Sequence, residues 1–145
     1  MSAPTTEDRL AIIDVTVAYC WALDTGDWSA LDDVFLPDAT AELGTPLVLD
    51  LDGIKKRVKS VLEPLDGSQH VVSTHQITVD GDTATCRCYL MAQHVRDGVP
   101  GGDNLMLGGR YEDALIRTSA GWRISHRKLI TTWREGNPKV VHPDR

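Results

Sequence analysis

Three cysteines in 145 residues, Cys20, Cys86 and Cys88, are too few for a disulfide framework. They fit free buried thiols in a reducing compartment. Cys86 and Cys88 stand two apart in a strand-like run and share a face, where core packing explains them better than half of a zinc site. No run of about 18 apolar residues exists, so no membrane span is expected. Residues 1–7 are polar without an apolar signal region, which implies a cytoplasmic location. Positive charge is scarce as well. With 15 Lys and Arg against 21 Asp and Glu, the net charge is −6 and no basic stripe is left to follow phosphates, so nucleic acid is excluded as a partner. Lys55, Lys56, Arg57 and Lys59 form the one basic cluster and read as the solvated face of a helix. There is no P-loop, no other nucleotide motif and no plausible metal triad, so the chemistry should need neither cofactor nor metal. No repeat, low-complexity block or linker divides the chain, which reads as one domain over 1–145, with 1–5 and 136–145 loosely ordered.

What is present is an ordinary globular composition, 41% hydrophobic and 25% charged. Thr5 to Asp8 has the form of a capping box. A helix follows to about residue 24, with a wide apolar stripe through Leu10, Ile13, Val17, Cys20 and Trp21, and Gly26 suits its C-terminal cap. Asp27 can cap a short second helix over 28–35. Short extended pieces follow at 39–43 and 47–51, then a helix over 52–62 that Pro64 ends. Everything after Gly67 reads as strand: 70–79, 83–95, 104–118 and 121–133, with Asp80-Gly81-Asp82 and Ser119-Ala120-Gly121 as turns. Helices followed by long antiparallel strands make an α+β domain. Strands of this length must bend, and helices across the concave side would leave a cone-shaped cavity.

Strand parity sorts the groups that could face that cavity. Ala84, Cys86, Cys88, Leu90 and Ala92 form an apolar wall with His94 at its end. His70 and His75 have opposite parity and should not both point inward unless a bulge intervenes. Arg127 shares parity with Leu129 and Trp133, so it should be drawn into an apolar setting and need an anionic partner from protein or ligand. Arg110 either joins the pocket or pairs with Glu112 or Asp113. Tyr19 and Asp24 sit near the C-terminal end of the first helix. The negative end of the helix and burial would both raise the pKa of Asp24 and make it a plausible base. Its bland alternative is a hydrogen bond to the turn backbone.

The stretch from Ala18 to Trp28, with Leu31, Phe35 and Pro37-Asp38-Ala39, resembles the opening of SnoaL-like domains of the nuclear-transport-factor-2-like superfamily. His70 with residues 79–84, Gly109-Arg110-Tyr111, Gly121-Trp122-Arg123-Ile124 and Arg127 extend the resemblance over nearly the whole chain. It implies a cystatin-like α+β barrel: a strongly bent mixed sheet round a pocket closed by N-terminal helices. Within the superfamily the chain is similar to the branch holding scytalone dehydratase, bile acid 7α-dehydratase and hexachlorocyclohexane dehydrochlorinase. That resemblance implies an Asp24–His70 pair abstracting a proton, Tyr19 and His94 assisting as catalytic groups, and Arg127 as a pocket arginine. A departure is Leu23, where scytalone dehydratase has a tyrosine before the aspartate.

The reading is therefore a lyase or isomerase without a cofactor, acting on a small hydrophobic cyclic, polyketide-like or steroid-like substrate, with dehydratase-like elimination first. A polyketide cyclase or isomerase using the same base, and a non-catalytic binding or assembly module, are the alternatives. Arg127, Arg110, Trp28, Cys88, Leu90 and Trp133 are the candidate substrate-binding residues, and the pair is expected in the largest pocket. Strand 104–118 carries apolar residues on both parities, which implies a homodimer or homotrimer through the outer face of the sheet.

Overall fold

The first helix begins where a threonine can cap it. In the computed structural model, which describes residues 4–142, α1 spans Thr6–Thr25, and the Thr5 hydroxyl accepts from the Asp8 amide at 3.0 Å. Gly26 ends it in the left-handed region at φ +68°, a conformation that glycine adopts without the clash a Cβ brings. Asp27 then caps a 3-10 turn, Trp28–Asp33, in place of the expected α-helix.

Strand β1 (Phe35–Leu43) starts earlier than expected and runs through Pro37, where its register with the neighbouring strand shifts. Proline has no N–H to give to the ladder, so the shift falls there. β2 (Val48–Asp50) leads directly into α2 (Leu51–Leu62), whose cap is the Asp50 carboxylate on the Gly53 amide at 2.8 Å. Four long strands follow: β3 (Gly67–Asp80), β4 (Thr83–Val95), β5 (Asn104–Thr118) and β6 (Gly121–Gly136). A final 3-10 turn, Pro138–Val140, docks with Val140 fully buried. Of the segments expected to be loose, residues 1–3 and 143–145 lie outside the described residues.

The strands form one mixed sheet in the order β2-β1-β6-β5-β4-β3, with β1 and β6 parallel and the other pairs antiparallel. It bends but does not close into a barrel, because β2 and β3 remain as edges. α1 and α2 pack into its concave side around Ile12, Tyr19, Leu31, Phe35, Ile54 and Ile124.

Bulges set which side chains enter that concavity. One lies between Ser73 and Gln76, with Thr74 at φ +59°, and a single extra residue there reverses the parity of β3. His70 and His75 consequently both turn inward, and the His75 Nε2 meets the Thr16 hydroxyl at 2.8 Å. A second bulge at Ser125 puts Trp122, Ile124, Arg127 and Leu129 on one face and sends His126 outward to Thr40. A third near Thr132 leaves Trp133 on the convex side, over Gly108. A strict alternation along β6 therefore mispairs Trp122 with His126 and Arg127 with Trp133.

Candidate active site

Asp24 stands at the end of α1, and β3 passes it at the height of Ser68 and His70. The two elements meet through three hydrogen bonds. His70 Nδ1 lies 2.6 Å from Asp24 Oδ1, the His70 amide donates to Oδ2 at 2.8 Å, and the Ser68 hydroxyl donates to Oδ1 at 2.9 Å. Both side chains are largely covered, His70 to 6% exposure and Asp24 to 17%. A carboxylate accepts only, so His70 carries its proton on Nδ1 and leaves Nε2 with a free lone pair.

Burial acts to raise the pKa of Asp24. The bonds from the His70 ring, the His70 amide and Ser68 together outweigh it, and the net shift is downward. The expectation of a raised pKa is thus overturned: three donors converge on the carboxylate and hold it as an anion. Asp24 orients the imidazole, and the basic atom is His70 Nε2.

His70 lines a cavity of about 140 Å³ in the concavity, walled by Leu23, Leu43, Val58, Val61, Leu62, Leu90, Ala92, Leu107 and Leu129. His94 lines it too, its ring 6.0 Å from that of His70 and nearly perpendicular. The His94 Nδ1–H donates to the Leu105 carbonyl at 3.0 Å, and burial lowers its pKa. Tyr19 and Tyr111 complete the polar part of the wall, edge to face at 5.7 Å. Burial raises both phenols, Tyr19 to about 12 against a smaller opposing pull from Arg127, and both remain neutral donors.

This is not the largest depression of the molecule. Wider hollows of about 490 Å³ and 430 Å³ open on the convex face and behind Asp24. The hollow that holds His70 is smaller and has the more apolar lining.

The structure brings Tyr19, Asp24, His70, His94 and Leu90 together and leaves the other candidates elsewhere. Arg127 is fully buried and has a protein partner, Asp113, at two distances of 2.8 Å, so it lies beneath the tyrosines and not in the cavity wall. Arg110 is on the convex side, bonded to Glu112 at 3.1 Å. Trp133 is on that side as well. Cys88 packs into the core, and Trp28 lines the hollow behind Asp24.

Sequence reasoning missed Ser68, Tyr111, Arg57 and Leu107. Ser68 stands two residues before His70, so strand period alone places it on the same face. Tyr111 keeps the parity of Asp113 and Leu115. Arg57 carries no such signal, because it falls within a run of lysines. Among the described residues no group of three His, Cys, Asp or Glu could hold a metal ion. Among the described residues no helix is long and apolar enough to cross a membrane.

A bent open sheet with helices in its concavity and an apolar pocket between them defines a cystatin-like α+β fold. Within it, the chain matches the SnoaL-like domain family over residues 4–128 and belongs to that family. Terrestric acid biosynthesis cluster protein E of Penicillium crustosum is 27% identical over 139 residues, covering 92% of this chain and 89% of the relative. A Novosphingobium aromaticivorans structure provisionally assigned as an aromatic ring hydroxylase is 30% identical, with a TM-score of 0.83 over 95% of this chain and 99% of that one. A second structure from that organism, provisionally assigned as a scytalone dehydratase, is 22% identical, with a TM-score of 0.79 over 92% of each chain. A hexachlorocyclohexane dehydrochlorinase is 16% identical, with a TM-score of 0.78 over 92% of this chain and 93% of that one. The last two likenesses are of fold.

Proposed function

We propose that the protein is a cofactor-independent lyase of the dehydratase type. It removes a proton from carbon beside a carbonyl in a small hydrophobic, ring-sized substrate. The observation that carries this reading is the 2.6 Å bond between Asp24 Oδ1 and His70 Nδ1, which leaves Nε2 as the basic atom of a ring lining an apolar cavity. His70 Nε2 takes the proton, and Asp24 stabilises the imidazolium that results. Tyr19 or Tyr111 donates to the enolate oxygen, since both phenols stay protonated.

The leaving hydroxyl then needs a proton. In this reading His70 supplies it. The proton returns from His70 to the departing oxygen as the C–O bond breaks, the C=C bond forms and water leaves. Ring closure or double-bond isomerisation begins with the same proton transfer. The Penicillium relative is named for a biosynthesis cluster, which supports a biosynthetic small molecule as the substrate.

Exchange of the proton beside the carbonyl in D2O, followed by NMR over a panel of cyclic β-hydroxyketones, tests the base directly. His70→Ala and Asp24→Asn should each slow exchange by about 10²–10⁴-fold while the protein stays folded. The double variant should be little worse than either, because the two act as one unit. Retained exchange with a lowered melting temperature would leave the pair a structural role and favour a binding module.

A further inference from the structure

Four basic residues lie along α2, and three of them pair with carboxylates at the surface. Lys55 meets Asp32, Lys56 meets Asp52 and Lys59 meets Glu63. Arg57 differs: among the described residues no carboxylate lies within 4.0 Å of its guanidinium. It is half-buried, and it lines the cavity beside Val58, Val61 and Leu62. A guanidinium at the edge of an apolar cavity and without a carboxylate partner is a site that an incoming anion can satisfy.

The wall around it offers no competing acceptor of full charge. Among the described residues the cavity lining holds no carboxylate, and Asp24, behind His70, has its oxygens engaged by His70 and Ser68. An anion entering the cavity is repelled by Asp24 and attracted by Arg57. Those opposed forces orient a ligand with its charged end toward α2 and its apolar body toward β3 and β4.

We propose that Arg57 is the anion-recognition residue of this cavity and that its ligand class is a small hydrophobic carboxylic acid, bound as the carboxylate. A planar guanidinium pairs with a carboxylate through two parallel bonds, which fixes orientation as well as charge. The volume of about 140 Å³ suits a body of one ring, since an apolar cavity of roughly 150 Å³ accommodates benzene. The inference rests on the reading that this cavity is the substrate site, and not on His70 acting as a base.

The test compares trans-cinnamate with its neutral isostere trans-cinnamamide by isothermal titration calorimetry. Wild-type protein should bind the acid at least about tenfold more tightly than the amide, the range of a hydrogen-bonded charge pair. Arg57→Gln should abolish that preference with the amide affinity little changed, and Arg57→Lys should restore part of it. Lys59→Gln, on the same helix but paired with Glu63, should keep the full preference. The readout is binding and not turnover, so a failure of the proton-transfer reading leaves this result intact. Equal binding of acid and amide to wild type overturns the inference. So does a preference that survives Arg57→Gln, or the absence of saturable cinnamate binding up to about 10 mM.

Discussion

Arg127 shows how much of the interior one residue can organise. Its guanidinium is fully buried, forked onto Asp113, and stacked 3.8 Å from the ring centre of Tyr111 and 4.4 Å from that of Tyr19. Burial works against its charge, but Asp113 more than compensates and moves its pKa upward. One nitrogen, Nη1, is buried without a partner. The arginine therefore acts as a platform that holds the two cavity tyrosines. Arg127→Leu should cost roughly 3–5 kcal/mol in urea unfolding, because Asp113 is then buried alone. Adding Asp113→Leu should recover much of that loss. A double variant as unstable as Arg127→Leu would show that packing on the tyrosines, and not the uncompensated charge, sets the cost.

The ends of the first helix and the whole of strand β4 were legible in the sequence, whereas the expected apolar stripe of α1 is overturned: Leu10, Val17 and Trp21 are exposed, and Ile12, Val15, Thr16, Tyr19 and Leu23 face the core. The cap at Thr5 and the left-handed glycine at Gly26 follow from chemistry confined to a few neighbouring residues. The inward wall from Ala84 to His94 follows from unbroken alternation. In β3 and β6 the bulges defeat that rule, because one extra residue reverses every side chain beyond it. Thr74 carries the local strain of the first bulge, a β-branched residue at φ +59° in an exposed position. The left-handed region costs such a residue roughly 1–2 kcal/mol, so Thr74→Gly should raise stability by about 1 kcal/mol. For a chain of this size that corresponds to a melting temperature roughly 2–4 °C higher by calorimetry. An unchanged or lower value would mean that the Thr74 backbone stores no strain.

Across the whole molecule, the convex face is the part of the surface least explained by a monomer. Val71, Met91, Gly108 and Trp133 are consecutive partners across β3, β4, β5 and β6, and Tyr89 lies two pairs further along β4, on the same face. Trp133 is 42% exposed and Tyr89 59%. Trp133 lies flat where Gly108 has no Cβ, since one added there would meet the indole at 1.8 Å. A contiguous apolar row on the solvent side of a sheet is the kind of patch that association covers. We expect a homodimer or homotrimer through this face, measured by light scattering at micromolar concentration. Trp133→Glu should shift it toward monomer while leaving the fold intact by circular dichroism. A wild-type monomer, or an oligomer indifferent to Trp133→Glu, would refute it.

Composition, caps, periods and turns are local, and the sequence by itself determined what depends on them: an α+β chain with a first helix capped at Gly26, four long strands, and an apolar wall running to His94. The family likeness pointed to Asp24 and His70 as partners, and residues 46 positions apart close on a 2.6 Å contact. Only the tertiary structure decided which residues share a space. It gave Arg127 to Asp113 instead of a ligand, turned Trp133 and Arg110 to the outside, brought Tyr111 and Arg57 to the cavity, and lowered the pKa of Asp24 where burial alone would have raised it. Side-chain direction past a bulge depends on how two strands pair, and the pKa of a carboxylate depends on which distant donors converge on it. Neither quantity is a property of neighbouring residues along the chain.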